Sequence, residues 1–503
     1  MDMTGETEYR VVSVARRHGR ERRSAPALTG DGRTVSYGEL DARSSRTARA
    51  LLAEGVRPGD RVAYVGKNAP EYFDVLFGAA KMGAVTVPVN WRLPGREIGA
   101  ILADAGAAVT VADRETGRFP APGHLLRTGP EFEALLAAHE AADPGFTGEP
   151  DDTVAQLYTS GTTGVPKGVL LSNRNFSSGR RRTSRWLLDE RSVNLVASPV
   201  FHVGGTGWAL AGLSTGCHHI LVRDVRAAEL AELIERHRIT NGFVVPATLQ
   251  ALCDLPDGHD YSSVRALGYG AAPITTALLR RVREVMGVRL HQVYGMTETT
   301  GTIVQLDPDD HEHEDLLRSA GRPFPWVELK VADPATGRTL PPGETGEVWV
   351  RSAQNTAGYW NRPEETARLL TADGWLRTGD AGHLDAEGRL FLTDRLKDMI
   401  VTGGENVYPV EVEEVLARHP GVAEVAVIGV PDRRWGESVM AVVVPAGELT
   451  EQDVLEYGRR HLAGFKRPRA VVLTDHLPRN PGGKVLKREL RAPYWQAEDR
   501  AIG

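Results

Sequence analysis

Cysteine is almost missing from this chain: Cys217 and Cys253 are the two present among 503 residues, and no C-x-x-C pair occurs. Two such thiols cannot build a disulfide framework, and a reducing cytoplasm suits them. Long apolar runs are missing too. No stretch reaches the roughly 18 residues of a membrane-spanning helix, and "MDMTGETEYRVV" at the N-terminus holds no apolar signal core. Basic excess is absent: 60 Lys and Arg face 66 Asp and Glu, a net charge of −6, which argues against a nucleic-acid partner. The basic run "RRHGRERR" (Arg16–Arg23) reads as a solvated N-terminal segment. These absences predict a soluble, cytoplasmic protein that is not integral to a membrane. Repeats are lacking as well, and the length exceeds one ordinary core, so two or more domains are expected.

What is present alternates between strand and helix. "TVSYGELDARSSRTARALLAEGV" reads as a short strand and a helix capped near Ser36 and ended by Gly55. "DRVAYVG" reads as a buried strand, and "APEYFDVLFGAAKMGAVTVPVN" as a helix followed by another. This alternation runs to about Asp310 and predicts an α/β fold with mostly parallel sheets and flanking helices. From Val327 the texture changes: "VELKVADPATGRTLPPGETGEVWVRS" alternates apolar and polar residues around Pro/Gly turns, as antiparallel strands do. The last ~110 residues read as a small α+β domain. The expected division is a large N-terminal domain over 1–394, with a β-rich part at about 325–394, and a C-terminal domain over 395–503.

One stretch asks for a phosphate. In "LYTSGTTGVPKGV" (Leu157–Val169) small hydroxyl residues alternate with glycines, and Lys167 closes the loop. Glycines let the backbone come close, while hydroxyls and amides donate hydrogen bonds to an anion. The common phosphate loop needs Gly-Lys-Ser/Thr, whereas Pro166 precedes Lys167 here and Gly168 follows it. The loop is therefore a nucleotide-binding candidate of another kind.

Four further motifs follow in order: "YGMTE" (Tyr294–Glu298), "TGD" (Thr378–Asp380), "DRLKDMIVTGGENVYP" (Asp394–Pro409) and "PRNPGGKVLKREL" (Pro478–Leu490). With the loop, they resemble the adenylate-forming superfamily, and within it the fatty-acyl and aryl-CoA ligase branch. The resemblance spans nearly the whole chain and implies the use of ATP, Mg²⁺ and, as co-substrate, CoA. A carboxylate would attack the α-phosphorus and pyrophosphate would leave; cations and hydrogen-bond donors must then offset like-charge repulsion. By that resemblance Thr159, Ser160, Gly161, Thr162, Thr163, Gly164 and Lys167 hold the β- and γ-phosphates. Glu298 holds Mg²⁺, Thr297 contacts the α-phosphate, and Tyr294 stacks on adenine beside Gly270, Ala271, Ala272 and Pro273. Asp380 accepts the two ribose hydroxyls, and Arg395 contacts ribose or phosphate.

The resemblance also assigns a second lysine. Lys484 in "NPGGKVLK" matches the adenylation lysine, a cation bridging the attacking carboxylate and the α-phosphate, while Lys487 and Arg488 read as solvated. Lys397 occupies the hinge position, within a hinge near 394–397, about which the small domain rotates between two half-reactions. Gly403 and Gly404 would then form a side-chain-free wall for a pantetheine arm, or serve as a plain turn between strand and helix.

His202, in "SPVFHVGG", matches a gate near the acyl pocket; Gly205, Trp208, Phe243, Val244, Val245, Pro246 and Gly268 map to the pocket, and all are also ordinary core types. The run Arg180–Arg182 with Arg185 and Trp186 reads as a solvated helix face, or as a contact for a CoA phosphate or polar substrate group. "GLSTG" around Ser214 lacks the strand–Ser–helix context of a hydrolase elbow. "DHEHED" (Asp310–Asp315) reads as a solvated loop, and His218 and His219, adjacent on a strand, would point to opposite faces. The reading is a carboxylate–CoA ligase acting on small molecules. Alternatives are an acceptor that is a carrier-protein thiol or a nitrogen nucleophile, a non-catalytic nucleotide-binding homologue, and a kinase or ATPase. The oligomeric state stays open, a homodimer included.

Overall fold

The computed structural model describes residues 9–159, 166–181, 183–256, 258–272, 274–395, 398–402, 405–432, 434–479 and 485–495. Four sheets organise them. In one of six strands, 124–127, 107–112, 61–65, 85–89 and 153–159 run parallel, and 167–172 closes the edge antiparallel. In one of nine, the parallel core is 290–296, 266–270, 241–244, 193–196, 218–221 and 26–30, with antiparallel strands at both edges. Strands Arg61–Val65 and Val85–Val89 are almost wholly apolar and buried, as parallel strands covered on both faces are. The strands 328–332, 346–351, 376–384 and 390–395 form an antiparallel meander. The fourth sheet, in the C-terminal part, joins 400–402, 405–407, 422–432, 436–445 and 470–473 with helices Pro409–Leu416 and Glu451–His461. The sequence-predicted α/β class and its antiparallel turn after residue 327 both hold. Among the described residues no helix is long and apolar enough to cross a membrane.

Local signals act as the sequence suggests. Ser36 caps helix Tyr37–Ala53: its Oγ accepts from the Glu39 amide at 3.2 Å, and the Glu39 carboxylate accepts from the Ser36 amide at 3.3 Å. Helix Pro70–Met82 starts on a proline at its first position and stops at Gly83, whose φ of 79° is the left-handed cap that glycine tolerates. It packs against helix Tyr37–Ala53, and twelve of its residues are buried, Lys81 among them. The Lys81 ammonium is fully buried yet satisfied, donating to Asp41 Oδ1 at 2.5 Å, to the Asp41 carbonyl at 2.7 Å and to Ser45 Oγ at 2.7 Å.

Four expectations change. "RRHGRERR" is not a solvated segment: it falls largely in helix Val11–Glu21, where His18 and Gly19 are buried, Arg16 pairs with Asp143 at 2.6 Å and Arg17 donates to the Ser214 carbonyl at 2.5 Å. Lys487 is not solvated either, since it pairs with Glu413 at 2.8 Å. "DHEHED" is not a wholly solvated loop: His311 is buried, its Nε2 2.9 Å from the Tyr269 hydroxyl and its Nδ1 2.8 Å from the Asp307 carbonyl. The arginine run is not a helix face, because helix Asn173–Arg180 ends at its first member. Arg181 and Arg185 then lie over the rings of Trp326 and Phe324, 5.6 Å away in each case, while Trp186 turns into the core. Ser214 sits inside helix Val203–Thr215 with its Oγ donating to the Ala211 carbonyl, so it presents no nucleophile elbow.

Removing the carboxylate from Asp41 leaves a buried ammonium short of its main counter-charge. Asp41→Ala is therefore expected to destabilise the protein by about 3 kcal/mol, read from urea unfolding. A loss under about 1 kcal/mol would contradict the account.

Candidate active site

The motif residues converge because they follow the carboxyl ends of parallel strands, where α/β sheets leave a crevice. Strand Thr153–Thr159 leads into the glycine–hydroxyl loop, Ala266–Gly270 into Ala271 and Ala272, Leu290–Met296 into Thr297 and Glu298, and Val193–Val196 toward His202. Ser160, Gly161, Thr162, Thr163 and Gly164 lie outside the described residues, as do Pro273, Lys397, Gly403, Gly404 and Lys484. The loop's two flanks are described: Thr159 and Lys167 are direct partners across the antiparallel pair.

A segment absent from the sequence reading locks this hairpin to the rest. Residues 358–360 pair with its outer edge: the Trp360 amide donates to Gly168 at 2.8 Å, and the Leu170 amide to Gly358 at 3.1 Å. Tyr359 then reaches two motif residues at once. Its hydroxyl donates to Glu298 Oε1 at 2.8 Å, and the Lys167 ammonium lies 5.3 Å above its ring. Burial, and then the adjacent Glu298 carboxylate, raise the Tyr359 pKa far above the tyrosine range, so the phenol stays a donor. Glu298 is only 6% exposed, and its backbone carbonyl accepts from the Thr356 amide at 2.7 Å. Behind the hairpin, Asp104 gathers Tyr158, Trp360 and Arg362: it accepts from the Tyr158 hydroxyl at 2.7 Å, the Trp360 indole at 3.1 Å and the Arg362 guanidinium at 2.8 Å.

A second seam joins the nine-stranded sheet to the meander. The Tyr294 hydroxyl donates to Asp380 Oδ2 at 2.8 Å. Across the meander, Asp380 is the direct partner of Arg395, so the two positions share one edge of the site. Thr297 opens the 3-10 turn Thr297–Thr299, and Thr300 after it is left-handed, with φ of 53°. That conformation is strained for a β-branched residue and is retained here by a bond from Thr300 Oγ1 to the Gln354 carbonyl at 2.7 Å.

Beside this turn lies a cavity of about 110 Å³. Of the pocket residues expected from sequence, Trp208 and Phe243 line it. Gly268 backs it: a Cβ there would meet Phe243 at 3.2 Å and Trp186 at 3.5 Å. Gly205 is buried one layer away, where any side chain would overlap the Pro199 carbonyl, and Val244 packs into a separate apolar cluster behind the sheet. Val245 and Pro246 cap and start helix Pro246–Cys253 and are not among the lining residues. Sequence reasoning missed Thr183, Val203, Gly207 and Ala211, among others, as lining, and read Trp186 with the arginine run as a solvated face or a polar contact, not as an apolar wall. The usable signal was the spacing Val203–Gly207–Ala211, one face of a helix left small. Tyr359 had no such signal, since no pattern marks it.

His202 caps helix Val203–Thr215 and packs its ring 4.6 Å from Phe201. Burial, and then the nearby Arg92 charge, push its pKa down to about 4, so the imidazole is neutral near pH 7. Its Nε2 is buried and has no hydrogen-bond partner among the described residues.

This geometry has close counterparts. The model of the AMP-binding enzyme family matches residues 15–360, and that of the AMP-binding enzyme C-terminal domain matches residues 411–484. A fatty acid–[acyl-carrier-protein] ligase of Streptomyces coeruleorubidus is 42% identical, over 98% of either chain. A feruloyl-CoA synthase of an Amycolatopsis species is 41% identical over 93% of this chain and 96% of its own. Among solved structures, the o-succinylbenzoate CoA synthetase of Bacillus subtilis, complexed with its acyl-adenylate intermediate, superposes with a TM-score of 0.87 at 31% identity, covering 95% of this chain and 97% of that one. The chain thus belongs to the family of AMP-binding enzymes, the adenylate-forming superfamily its motifs resemble, on the branch of acyl- and aryl-CoA ligases.

Proposed function

We propose that the chain is an AMP-forming acid–thiol ligase: it activates a fatty or aromatic acid as acyl-AMP with release of pyrophosphate, then passes the acyl group to the thiol of CoA. One observation carries the reading. The apolar cavity opens on the turn that bears the nucleotide motif, since Ala271, Gly295 and Thr300 line it beside Glu298. An acid seated there presents its carboxylate to the place where the phosphates would lie.

The residues divide the work by charge. Lys167 and the Thr159–Gly164 loop would grip the pyrophosphate, Thr297 the α-phosphate, and Asp380 and Arg395 the ribose side, with Tyr294 against adenine. Glu298 offers a buried anionic oxygen, and no group of three or more His, Cys, Asp or Glu suited to a metal exists among the described residues. That fits Mg²⁺ held by one carboxylate with nucleotide phosphates and water, where it would neutralise the leaving charge. His202, neutral and with a ring nitrogen that has no partner among the described residues, can meet the incoming carboxylate by hydrogen bonding without adding charge. Lys484, Lys397, Gly403 and Gly404 keep the adenylation, hinge and pantetheine roles that their motifs imply. Two buried cysteines and a net charge of −6 support a cytoplasmic setting with small-molecule partners.

A carrier-protein thiol is the second reading of the acceptor, favoured by the 42% identity to a ligase that uses an acyl carrier protein. A pyrophosphate-release screen over acyl and aryl acids, with CoA or a phosphopantetheinylated carrier protein, decides. Pyrophosphate without any acid requirement, or free phosphate instead, would sink the ligase reading. Acyl transfer to the carrier but not to CoA would select the second acceptor.

Three variants and measurements probe the parts. Lys484→Ala should abolish adenylate formation and spare thioester formation from supplied acyl-AMP; equal loss of both would count against two separate conformations. Tyr359→Phe removes a bond to a buried carboxylate and should slow pyrophosphate release about 10- to 100-fold, with unchanged rates refuting the role of that seam. For His202, ring-nitrogen NMR should find the neutral form throughout pH 6–8, with protonation only as pH falls toward 4; a midpoint at 6 or above would overturn the argument from burial.

A further inference from the structure

We propose that the acid site is closed to long chains and to acids with a second charge, so that the chain selects compact monocarboxylates: one ring, or about six carbons beyond the carboxylate. The inference rests on the adenylation reading and concerns what the cavity admits.

Size comes first. A cavity of about 150 Å³ holds one benzene molecule with its surrounding clearance; the cavity here, about 110 Å³, is tighter, so one ring or a short chain is its upper bound. Two indoles stand together in its lining, Trp186 and Trp208, with ring centroids 4.4 Å apart, flanked by Phe243 at 6.5 Å from Trp208. A longer acid could enter only by displacing an indole, and both are anchored. The Trp208 Nε1 donates to the Leu195 carbonyl at 2.9 Å, inside the sheet. The Trp186 Nε1 donates to Gln305 Oε1 at 2.5 Å. Gln305 is itself buried, its amide donating to Asp307 Oδ1 at 2.5 Å and lying 3.2 Å from His291 Nδ1. Rotating either indole away would strand a buried N–H without an acceptor, and the surrounding contacts leave no slack.

Charge comes second. The described lining residues offer threonine hydroxyls at Thr183, Thr300 and Thr302, and none of them is ionisable. A distal carboxylate or ammonium would be buried without a partner, at a cost that the short acid does not meet. Trp208 and Gln305 are therefore specificity-determining: the first sets the depth, and the second fixes the wall through Trp186. Gly207 sets the width. A Cβ at that position would meet only Val203 Cγ2, at 3.5 Å, so a larger side chain there projects into the cavity without disturbing the helix.

The test is a series of straight-chain acids from butanoate to dodecanoate, with benzoate and adipate, scored as kcat/KM for acid-dependent pyrophosphate release. Wild type should peak at hexanoate or benzoate and fall at least 30-fold for dodecanoate and for adipate. Gly207→Leu should shift the optimum to butanoate and lower hexanoate at least tenfold. Trp208→Ala should extend acceptance to decanoate. Dodecanoate or adipate within threefold of hexanoate in wild type would overturn the proposal while leaving adenylation standing, as would a Gly207→Leu profile identical to wild type. Pyrophosphate release with no acid of any length would overturn both. If Trp208→Ala does not fold, the wild-type series and Gly207→Leu still decide.

Discussion

The hydrogen bond from Tyr359 to Glu298 is the contact on which the site depends. Glu298 follows a strand of the nine-stranded sheet, Lys167 begins the edge strand of the six-stranded sheet, and Tyr359 lies between the meander's strands in sequence. Three pieces of backbone, distant in the chain, are set against one another by a single side chain. Main-chain pairing of 358–360 with the hairpin makes that placement a matter of register, which side-chain rotamers alone could not maintain. Trp326 and Gln354 extend the lock: the indole donates to the Gln354 amide oxygen at 2.7 Å, and the Gln354 amide nitrogen donates to the Thr302 carbonyl at 3.0 Å.

Around that lock the environment separates two kinds of chemistry. The charged side holds Glu298 and Asp380, which accept from Tyr359 and Tyr294, and Lys167, which lies over the Tyr359 ring. The acid side is apolar and shaped by indoles whose N–H groups point away from the cavity. Such a division suits a reaction between two anions. In the proposed reaction, donors and cations must offset charge on one side, and an apolar neighbouring space favours a reactive anhydride over its hydrolysis.

Much of this was legible in the sequence because it rests on short-range rules. The family shows in five ordered motifs, the cap at Ser36 in the glutamate three residues on, and the α/β class in the alternation of strand and helix. The gaps have a common physical cause. Tyr359 acts through a pairing between residues almost 200 apart in the chain, which leaves no local trace. His311 looks like a loop histidine among acids, but Tyr269 from a distant strand buries it. Val244 and Pro246 carry the same apolar character as Phe243, yet alternation along the strand and the start of a helix turn them elsewhere. Composition identifies pocket-type residues; only the sheet's register says which of them face the pocket.

The bond between Tyr294 and Asp380 has a thermodynamic side as well. In the proposed nucleotide pose, a ribose hydroxyl reaching Asp380 must share or replace an acceptor already in use by Tyr294. Nucleotide binding at that carboxylate is then an exchange of partners, whose net gain is the difference between two hydrogen bonds. The resting bond keeps both side chains oriented before the nucleotide arrives, at the expense of raw affinity. In the same pose the Tyr294 bond re-forms as the nucleotide departs, so product release, like binding, is an exchange of partners at one carboxylate.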